Sequence, residues 1–388
     1  MAETENRSDP LVRVLEFCES RREWVLDLIT TLVSMESPTD DKAAVDRCGV
    51  ELERQLSALG GRVRRHARES SGDHLQAEFG RGTDQILLLG HFDTVWPVGQ
   101  IASMPLHRDG DRLYGPGVFD MKAGIGIAML GVRALADLGL LPECRIVMLW
   151  TADEETGSAT SRGLIEEEAA RSRAVVVFEP ALPSGAVKTS RKGCAQFELS
   201  VQGIAAHAGL EPQNGASAIL ELARLVLTVC GWEDRERGTS VNVGTVTGGS
   251  RTNVVAEWAT ASVDARFRHK DDAASLERRF RELRTTSPGT SLVVSGGVDR
   301  LPLERTAEVL ALYEIARRVA AELGRELGEG ATGGGSDGNL TAALGVPTLD
   351  GMGAVGHGAH ARDEWIDVST LGWRAALAAG LLRRVPAR

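Results

Sequence analysis

Apolar residues follow two different spacings along the first half of the chain. Helical spacing alternates with compact apolar runs that are too short for helices, and this order predicts an α/β layer structure with a largely parallel sheet. The predicted helices are Leu11–Val33, a segment through Val45, Leu52, Leu56 and Leu59, Ala123–Leu138, and residues near Arg162–Ala170. The predicted strands are Ile86–Leu89, Arg145–Trp150 and Ala174–Phe178.

The pattern changes near Ser190, where polar and apolar residues begin to alternate singly, as in a half-exposed strand. The order that follows is β-α-β-β-α-β, which fits a small ferredoxin-like α+β domain. Its predicted elements are a strand from Gln196 to Val201, a helix at Ala216–Val229, strands at Ser240–Val246 and Val254–Arg268, a helix near Asp271–Arg284 and a strand at Ser291–Ser295. Helices at Thr306–Leu323 and near Thr370–Arg384 then resume the α/β pattern. We therefore predict a main domain of residues 1–189 and 303–388 with residues 190–302 inserted.

Composition narrows the class of protein. The chain has 388 residues, of which 43% are hydrophobic and 25% charged, as expected of a soluble globular protein with two domains. The net charge of −10 argues against a general nucleic-acid partner. No apolar run is long enough for a membrane span, and the polar start lacks signal-peptide features, so we expect a cytoplasmic protein. The five cysteines include no CxxC pair and are expected to be reduced.

Residues that can bind metals stand directly after the predicted strands. The carboxyl ends of parallel strands meet at one edge of a sheet, so side chains there are expected to converge. One such histidine alone would more often be structural, but a solvated surface explains five convergent residues poorly. The five residues are His91, Asp93, Glu154, Glu155 and Glu179.

These residue types suit a pair of metal ions. Zinc binds histidine nitrogen and carboxylate oxygen, and two metals close together need a bridging carboxylate. Asp120 lies between two glycine-rich turns and is the expected bridge, while His360 in a late glycine-rich stretch supplies a further ligand. Asp93 follows His91 by two residues along an extended segment, so it is expected to hold the other ring nitrogen of His91.

Glu154 and Glu155 are adjacent carboxylates with two interpretations. Neighbours on an extended chain face differently, so we assign Glu155 to a metal and Glu154 to proton transfer, first as general base and then as general acid. In the alternative interpretation, Asp153, Glu154 and Glu155 form a capping cluster at the N-terminus of the helix that follows Gly157.

Five segments together resemble the aminoacylase and glutamate carboxypeptidase family of dinuclear zinc hydrolases, closest to its glutamate carboxypeptidase branch. The resemblance runs in order over nearly the whole chain. It implies a zinc-exopeptidase-like catalytic domain and an inserted domain that serves as lid and dimer contact. The segments are Gly90–Val95, Gly115–Ile125, Thr151–Ser158, Phe178–Pro180 and Gly356–Glu364.

The resemblance implies how the metal ligands are shared. One zinc ion is expected at His91 and Glu179, the second at Glu155 and His360, with Asp120 between them and a shared water activated by Glu154. It also implies a cis peptide bond between Asp120 and Met121. His357 competes with His360 as the ligand, but the family pattern places an acidic residue and an aromatic after the ligand. Glu364 and Trp365 follow His360 at that distance.

The inserted domain is expected to supply substrate contacts. The resemblance implies that His207 reaches the partner subunit's active site and polarises the scissile carbonyl there, although the residue alone would also fit a polar turn. Asn253 and Arg266 resemble positions that contact a substrate carboxylate. An ion pair between Arg266 and Asp264 on the strand face is the alternative for Arg266.

A glycine-rich loop and two basic residues complete the candidate site. The loop that contains Gly334, Gly335 and Ser336 resembles the family segment that receives the substrate's terminal carboxylate, and its N–H groups suit an anion. Lys188 and Arg191 are candidate selectors for an acidic side chain, with ordinary solvated charge as the alternative.

The sequence thus predicts a zinc-dependent metallocarboxypeptidase or amidohydrolase. Its expected substrate is a small peptide or N-acyl amino acid that ends in a free carboxylate, with glutamate as the expected leaving residue. We expect two Zn²⁺ per subunit, with Co²⁺ or Mn²⁺ as substitutes, and a homodimer through the inserted domain. The first alternative is an aminoacylase-type hydrolase with non-acidic specificity. The second is a binding homologue without catalysis, which would be expected to lack some of the ligands.

Overall fold

The computed structural model describes residues 9–387. Its α-helices are α1 (Pro10–Ser20), α2 (Arg22–Ser34), α3 (Lys42–Ala58), α4 (Ala123–Asp137), α5 (Arg162–Arg171), α6 (Ala218–Cys230), α7 (Lys270–Glu282), α8 (Ala307–Glu322), α9 (Gly338–Ala343) and α10 (Leu371–Arg384). Its strands are β1 (Arg62–His66), β2 (His74–Gly80), β3 (Gln85–His91), β4 (His107–Asp109), β5 (Arg112–Tyr114), β6 (Arg145–Thr151), β7 (Ser172–Val177), β8 (Val187–Arg191), β9 (Gly193–Gln202), β10 (Ser240–Gly248), β11 (Trp258–Phe267), β12 (Ser291–Arg300), β13 (Glu329–Thr332), β14 (Thr348–Leu349), β15 (Gly356–His357) and β16 (Trp365–Asp367).

The chain divides into two compact units. Among the described residues, the larger unit contains 9–189, Arg305–Ala331 and 336–387. The smaller unit contains Ser190–Glu304 and Thr332–Gly335. The smaller unit therefore interrupts the larger one twice along the sequence.

A six-stranded mixed sheet is the centre of the larger unit. Its strand order is β1-β2-β6-β3-β7-β14. The pairs β6-β3, β3-β7 and β7-β14 are parallel, whereas β1 and β2 join antiparallel at one edge. Every residue of β3 is buried, because this strand lies between two parallel neighbours and is covered on both faces. The predicted α/β class and the predominantly parallel sheet are confirmed.

Helices cover both faces of this sheet. One apolar cluster joins the sheet to α1, α2, α4, α8 and α10, and a second joins its other face to α5 and α9. Helix α4 is buried on nearly every side, which its run of alanine and glycine permits. A Cβ atom on Gly124 would stand 2.0 Å from the Phe178 carbonyl oxygen, so only glycine lets α4 approach the end of β7 this closely.

The smaller unit has the β-α-β-β-α-β order that the sequence predicts. Its four strands are antiparallel in the order β10-β11-β9-β12. Helices α6 and α7 cover one face, where Phe197 and Phe280 stack with ring centroids 3.8 Å apart. This arrangement confirms the ferredoxin-like α+β prediction.

Several local predictions were incomplete. The predicted helix at Leu11–Val33 is two helices, with a break at Arg21 in a stretch where residues 19–24 are not buried. The short sheet of β4, β5, β15 and β16 was missed, because strands of two or three residues carry no readable periodicity. Cys18, Cys48, Cys144, Cys194 and Cys230 are free thiols, as expected. Within residues 9–387, no helix combines the length and apolarity that crossing a membrane requires.

Candidate metal centre

Five of the predicted residues converge in the larger unit as two groups. His91, Asp120 and Glu179 form one group, and Asp120, Glu155 and His360 form the other. Each residue offers one ligand atom, and the atoms of a group lie within 4.8 Å of one another. Asp120 is the member that both groups share, as the sequence predicts of a bridging carboxylate.

The two oxygens of Asp120 face different groups. His91 Nε2 lies 3.3 Å from Asp120 Oδ1 and 3.4 Å from Glu179 Oε1. His360 Nε2 lies 3.5 Å from Asp120 Oδ2 and 3.1 Å from Glu155 Oε2. The carboxylate of Asp120 is thus oriented with one oxygen toward each histidine.

The spacing of these atoms fits tetrahedral coordination. Ligand atoms at zinc-like bond lengths of about 2.0–2.1 Å occupy the corners of a tetrahedron with edges of about 3.3–3.4 Å. The nitrogen–oxygen distances in both groups, from 3.1 to 3.5 Å, are close to that edge length. In addition, Asp120 Oδ1 is buried and makes no hydrogen bond in the described part of the chain. The donor set therefore fits a pair of divalent cations.

Asp93 supports the first histidine and the turn with the paired glutamates. His91 Nδ1 lies 3.0 Å from the Asp93 carbonyl oxygen and 3.4 Å from Asp93 Oδ1. Because the carbonyl oxygen can only accept, Nδ1 carries a proton, which leaves Nε2 as the nitrogen that would bind a metal ion. The carboxylate of Asp93 also accepts the backbone N–H groups of Glu154 at 3.3 Å and Glu155 at 3.2 Å.

The structure separates the roles within Asp153, Glu154 and Glu155. Asp153 Oδ2 accepts hydrogen bonds from the N–H and Oγ1 of Thr160, so Asp153 organises the approach to α5. Glu155 is directed at His360, with only 7% of its side chain exposed. Glu154 is half-buried on the same short turn. Asp153 therefore holds the residues just before α5, and no side chain caps the described N-terminus of that helix as the alternative interpretation expected.

Charges in the centre shift several pKa values. Burial alone would lower the pKa of His91, but the surrounding carboxylates raise it well above its usual value. The hydrogen bond with Glu155 raises the pKa of His360 to about 9. Burial raises the pKa of Glu155 itself. In the metal-free chain, the two histidines therefore carry the positive charge that the carboxylates require.

The cis peptide bond and the preferred histidine agree with the sequence analysis. The bond between Asp120 and Met121 is cis. His357 is exposed and belongs to neither ligand group, whereas His360 belongs to the second. Outside the centre, His74 is buried and hydrogen-bonds with the Ala152 N–H and Thr160 Oγ1, which is a structural role.

The predicted substrate residues of the smaller unit have partners of their own. His207 is exposed, and its Nδ1 accepts the backbone N–H groups of Gly209 and Leu210 at 3.1 and 3.2 Å. The exposed Asn253 adjoins it, since its carbonyl oxygen accepts the Ala208 N–H.

Arg266 forms an ion pair with Asp264, which was the alternative prediction for this residue. Its Nε and Nη2 each lie 2.8 Å from an oxygen of Asp264. In the same unit, Arg191 Nη1 donates to the carbonyl oxygens of Gly334 and Gly335. Arg191 is 3% exposed, so the alternative interpretation of an ordinary solvated charge is wrong for this residue.

Lys188 and Ser336 are both buried in the larger unit. Lys188 lies close enough to Asp120 for its charge to help lower the pKa of that carboxyl, against the effect of burial. It is therefore not the solvated side chain of the alternative interpretation. The N–H of Ser336 donates to Asn339 Oδ1, and its Oγ donates to Asp350 Oδ2.

Two buried carboxylates near the centre were missed as structural supports. Asp337 accepts hydrogen bonds from Ser158 and from Thr151 Oγ1, on either side of the glutamate pair. Glu364 accepts hydrogen bonds from the turn that carries Asp120. Both acids stand beside predicted motifs, but their partners are 179 to 247 residues away in the sequence.

Comparison with known proteins agrees with this fold. Residues 87–384 match the model of peptidase family M20/M25/M40. The chain is 32% identical to carboxypeptidase G2 of Pseudomonas sp. (strain RS-16), over 92% of this chain and 88% of that protein. It is 29% identical to a succinyl-diaminopimelate desuccinylase of Stenotrophomonas maltophilia (strain K279a), over 89% and 95% of the two chains. The crystal structure of the M20 metallo-carboxypeptidase Sso-CP2 from Sulfolobus solfataricus has the same fold, with a TM-score of 0.73 and 16% identity over 93% of this chain and 99% of that one.

The fold and its family place the protein among the metal-dependent hydrolases. The chain belongs to peptidase family M20/M25/M40. The resemblance to the aminoacylase and glutamate carboxypeptidase family is thereby confirmed. The alternative class of protein was a binding homologue that lacks some of the ligands. It does not fit the two ligand groups that are present.

Proposed function

We propose that the protein uses two zinc ions to hydrolyse the amide bond before a C-terminal amino acid that has a free carboxylate. The observation that carries this proposal is the orientation of Asp120, which directs one carboxylate oxygen to each of two histidine–carboxylate groups. One ion would be held by His91, Asp120 and Glu179, and the other by Asp120, Glu155 and His360. When bound, such ions lower the pKa of water and polarise a carbonyl group.

Glu154 is the proposed proton carrier. Its neighbour Glu155 is committed to His360, whereas the Glu154 side chain is half-buried on the same turn. Asp93 holds the backbone of both residues, which supports a fixed position for the Glu154 carboxylate. Glu154 takes a proton from the attacking water and then delivers it to the leaving amine.

His207 of the partner subunit is the proposed donor to the developing oxyanion. Its Nδ1 accepts two backbone N–H groups, so in the neutral ring Nε2 carries the proton. A neutral histidine with this tautomer is a hydrogen-bond donor at Nε2, as stabilisation of an oxyanion requires. The proposal therefore needs two copies of the chain.

A dimer through the smaller unit is supported by its exposed apolar residues. On α6, Leu220 and Leu227 are 53% and 75% exposed, and Val246 on the edge strand β10 is 58% exposed. An edge strand with unpaired backbone groups beside an apolar helix surface is suited to association with a second copy. The second copy would also bring its His207.

The proposed substrate class follows from the basic residues. Arg266, Asn253 and the loop with Gly334, Gly335 and Ser336 are proposed to receive the terminal carboxylate, and Lys188 to contribute positive charge. Carboxypeptidase G2 as a relative favours a peptide-like substrate, and glutamate is our first choice of leaving residue. The desuccinylase relative favours N-acyl amino acids as the second candidate. Hydrolysis of non-acidic N-acyl amino acids is the alternative specificity.

A hydrolysis screen tests this function. Dipeptides and N-acyl amino acids with free carboxyl ends are compared with their C-terminal amides, with and without a chelator, and bound metal is measured in parallel. We expect about two metal ions per chain, hydrolysis of the free acids only, and complete loss of activity with chelator. A protein that retains activity without metal, or that cleaves the amides equally well, would refute the proposal.

A further inference from the structure

Glu364 is a buried carboxylate just outside the two ligand groups. Only 1% of the residue is exposed, and it follows His360 by four positions. Its Oε1 accepts the backbone N–H groups of Phe119 at 2.8 Å and Asp120 at 3.0 Å. Its Oε2 accepts the Gly117 N–H at 2.9 Å and Trp96 Nε1–H at 3.0 Å.

These four hydrogen bonds use the full capacity of the carboxylate. Two oxygens offer about four acceptor sites, and each oxygen here receives two donors. Three donors are backbone groups of the same turn, in which Gly117 has the left-handed φ of 72°. A buried negative charge is costly unless hydrogen bonds compensate it. Glu364 therefore depends on the N–H groups of the turn, and the turn is held in its conformation by Glu364.

Glu364 also joins the segments that carry the candidate ligands. Its own segment carries His360, the turn carries Asp120, and Trp96 follows Asp93 by three residues. The Glu364 carbonyl oxygen adds a backbone hydrogen bond from the Gly115 N–H at 3.3 Å. One residue thus fixes the distance between the His360 segment and the backbone of Asp120.

We propose that Glu364 is the positioning residue that holds Asp120 as the shared ligand, so that it sets the affinity of both metal sites together. The proposal rests on the two-metal centre of the proposed function. A change at Glu179 loosens one group only, whereas a shift of the Asp120 turn moves an oxygen away from each group. A positioning role of Glu364 through Asp120 is therefore recognised by a loss of metal affinity at both sites together.

The substitution Glu364→Gln tests this role at nearly constant size. The amide keeps one acceptor oxygen and turns an NH₂ group toward two donors, so two of the four hydrogen bonds are lost and at least one of them comes from the Asp120 turn. Titration of the metal-free protein with Zn²⁺ alone, followed by calorimetry, is expected to show both affinities reduced by about 10- to 100-fold, the usual effect of losing an outer partner of a ligand. Turnover at limiting Zn²⁺ is expected to fall, and excess Zn²⁺ to restore it.

Glu221→Gln is the matched control in the smaller unit. Glu221 is fully buried and accepts the backbone N–H groups of Thr286 at 2.6 Å and Ser287 at 3.0 Å, and it is a member of neither ligand group among the described residues. We expect this variant to lower the melting temperature and to leave both Zn²⁺ affinities unchanged. If Glu364→Gln also binds two Zn²⁺ ions with wild-type affinity, Glu364 is merely structural and the inference is wrong.

A milder variant covers the case in which Glu364→Gln does not fold. Trp96→Phe removes a single donor to Glu364 and leaves the three backbone donors in place. We expect a joint, few-fold loss of affinity at both sites, and unchanged affinities would overturn the inference. Wild-type protein that binds no zinc pair would instead refute the proposed function, so the two failures are distinguishable.

Discussion

The two units of the chain differ in whether the residues of the candidate site are already arranged for their proposed roles. In the larger unit, carboxylates and histidines face one another at 3.1–3.5 Å, and Asp120 Oδ1 is buried without a hydrogen bond to any described residue. In the smaller unit, Arg266 is already paired with Asp264, and His207 stands exposed on a loop.

The metal ligands are thus arranged within one copy of the chain, whereas the candidate substrate residues would change partners when a substrate binds. The three carboxylates of the ligand groups have side chains at most 15% exposed, and such shielded negative charges need positive charge beside them, so this centre is arranged before any substrate arrives. In the smaller unit, Asp264 already balances the charge of Arg266, so under the proposed function Arg266 would exchange this partner for a substrate carboxylate. Metal binding is therefore expected to be robust to changes in the smaller unit, whereas substrate affinity is not.

The largest expected effect comes from the shared ligand. Asp120→Ala removes an oxygen from each group, so we expect loss of both metal ions and a fall in turnover of at least about 10⁴-fold, since most of the acceleration depends on the metals. Metal analysis after dialysis measures the first effect and steady-state kinetics the second. Glu179→Ala is the comparison, with one ion expected to remain. Two tightly bound ions in Asp120→Ala would contradict the shared-ligand assignment.

Glu154→Gln is expected to separate chemistry from metal binding. The amide cannot accept the proton of the attacking water, so kcat should fall by about 10²- to 10⁴-fold. The metal content should stay at the wild-type level, because Glu155 and not Glu154 faces His360. Glu167→Gln, at an exposed ion pair with Arg171, is the control and should keep full activity. Wild-type-like turnover of Glu154→Gln would exclude this residue as the proton carrier.

His207→Ala tests whether the smaller unit contributes to chemistry in the partner. Loss of an oxyanion donor should lower kcat by about 10²- to 10³-fold while both metals remain bound. Mixing this variant with Glu154→Gln should restore part of the activity, because a mixed dimer contains one site with both groups intact. A monomer in light scattering, together with no recovery on mixing, would show that His207 does not act in trans.

Sequence alone predicted the ligand groups better than their supports. His91, Glu155 and Glu179 were predicted because they follow apolar runs, and Asp120 and His360 because they lie in glycine-rich stretches. The family resemblance added how these ligands are shared between two metal ions. The hydrogen bonds of Glu364 join residues 244 to 268 positions apart, and no local pattern encodes such pairing. The ion pair of Arg266 with Asp264 was foreseen as an alternative, since residues two apart on a strand share a face.

Arg266→Ala is expected to affect substrate affinity and little else. Charge-assisted hydrogen bonds contribute about 1.5–3 kcal/mol, so KM for substrates with a free carboxylate should rise by about 10- to 100-fold. KM for a C-terminal amide substrate, where it is measurable, should not change, and metal content should stay at two ions. Asp264→Asn is the paired variant, and it should lower KM because it frees Arg266 from its present partner. Equal effects on acid and amide substrates would make the Arg266–Asp264 pair purely structural.

The smallest expected effect is a pH dependence confined to the metal-free protein. The hydrogen bond with Glu155 raises the pKa of His360 from 6.5 to about 9, and the carboxylates around His91 raise its pKa in the same direction. A group whose pKa is higher in the folded state stabilises the fold fully below its unfolded pKa, and this contribution is lost as pH rises through the folded pKa.

The metal-free protein should therefore lose stability between pH 6.5 and about 9, as measured by urea unfolding at a series of pH values. With metal bound, the histidines are neutral ligands, and the loss over this range should disappear. His360→Gln should reduce the slope in the metal-free protein, whereas His357→Gln, three residues away and outside both groups, should leave it unchanged. Equal dependence of stability on pH in the wild type and in His360→Gln would mean that the metal-free protein does not hold a protonated His360 against Glu155. The ligands of the larger unit would then be less well arranged for metal than their contacts indicate.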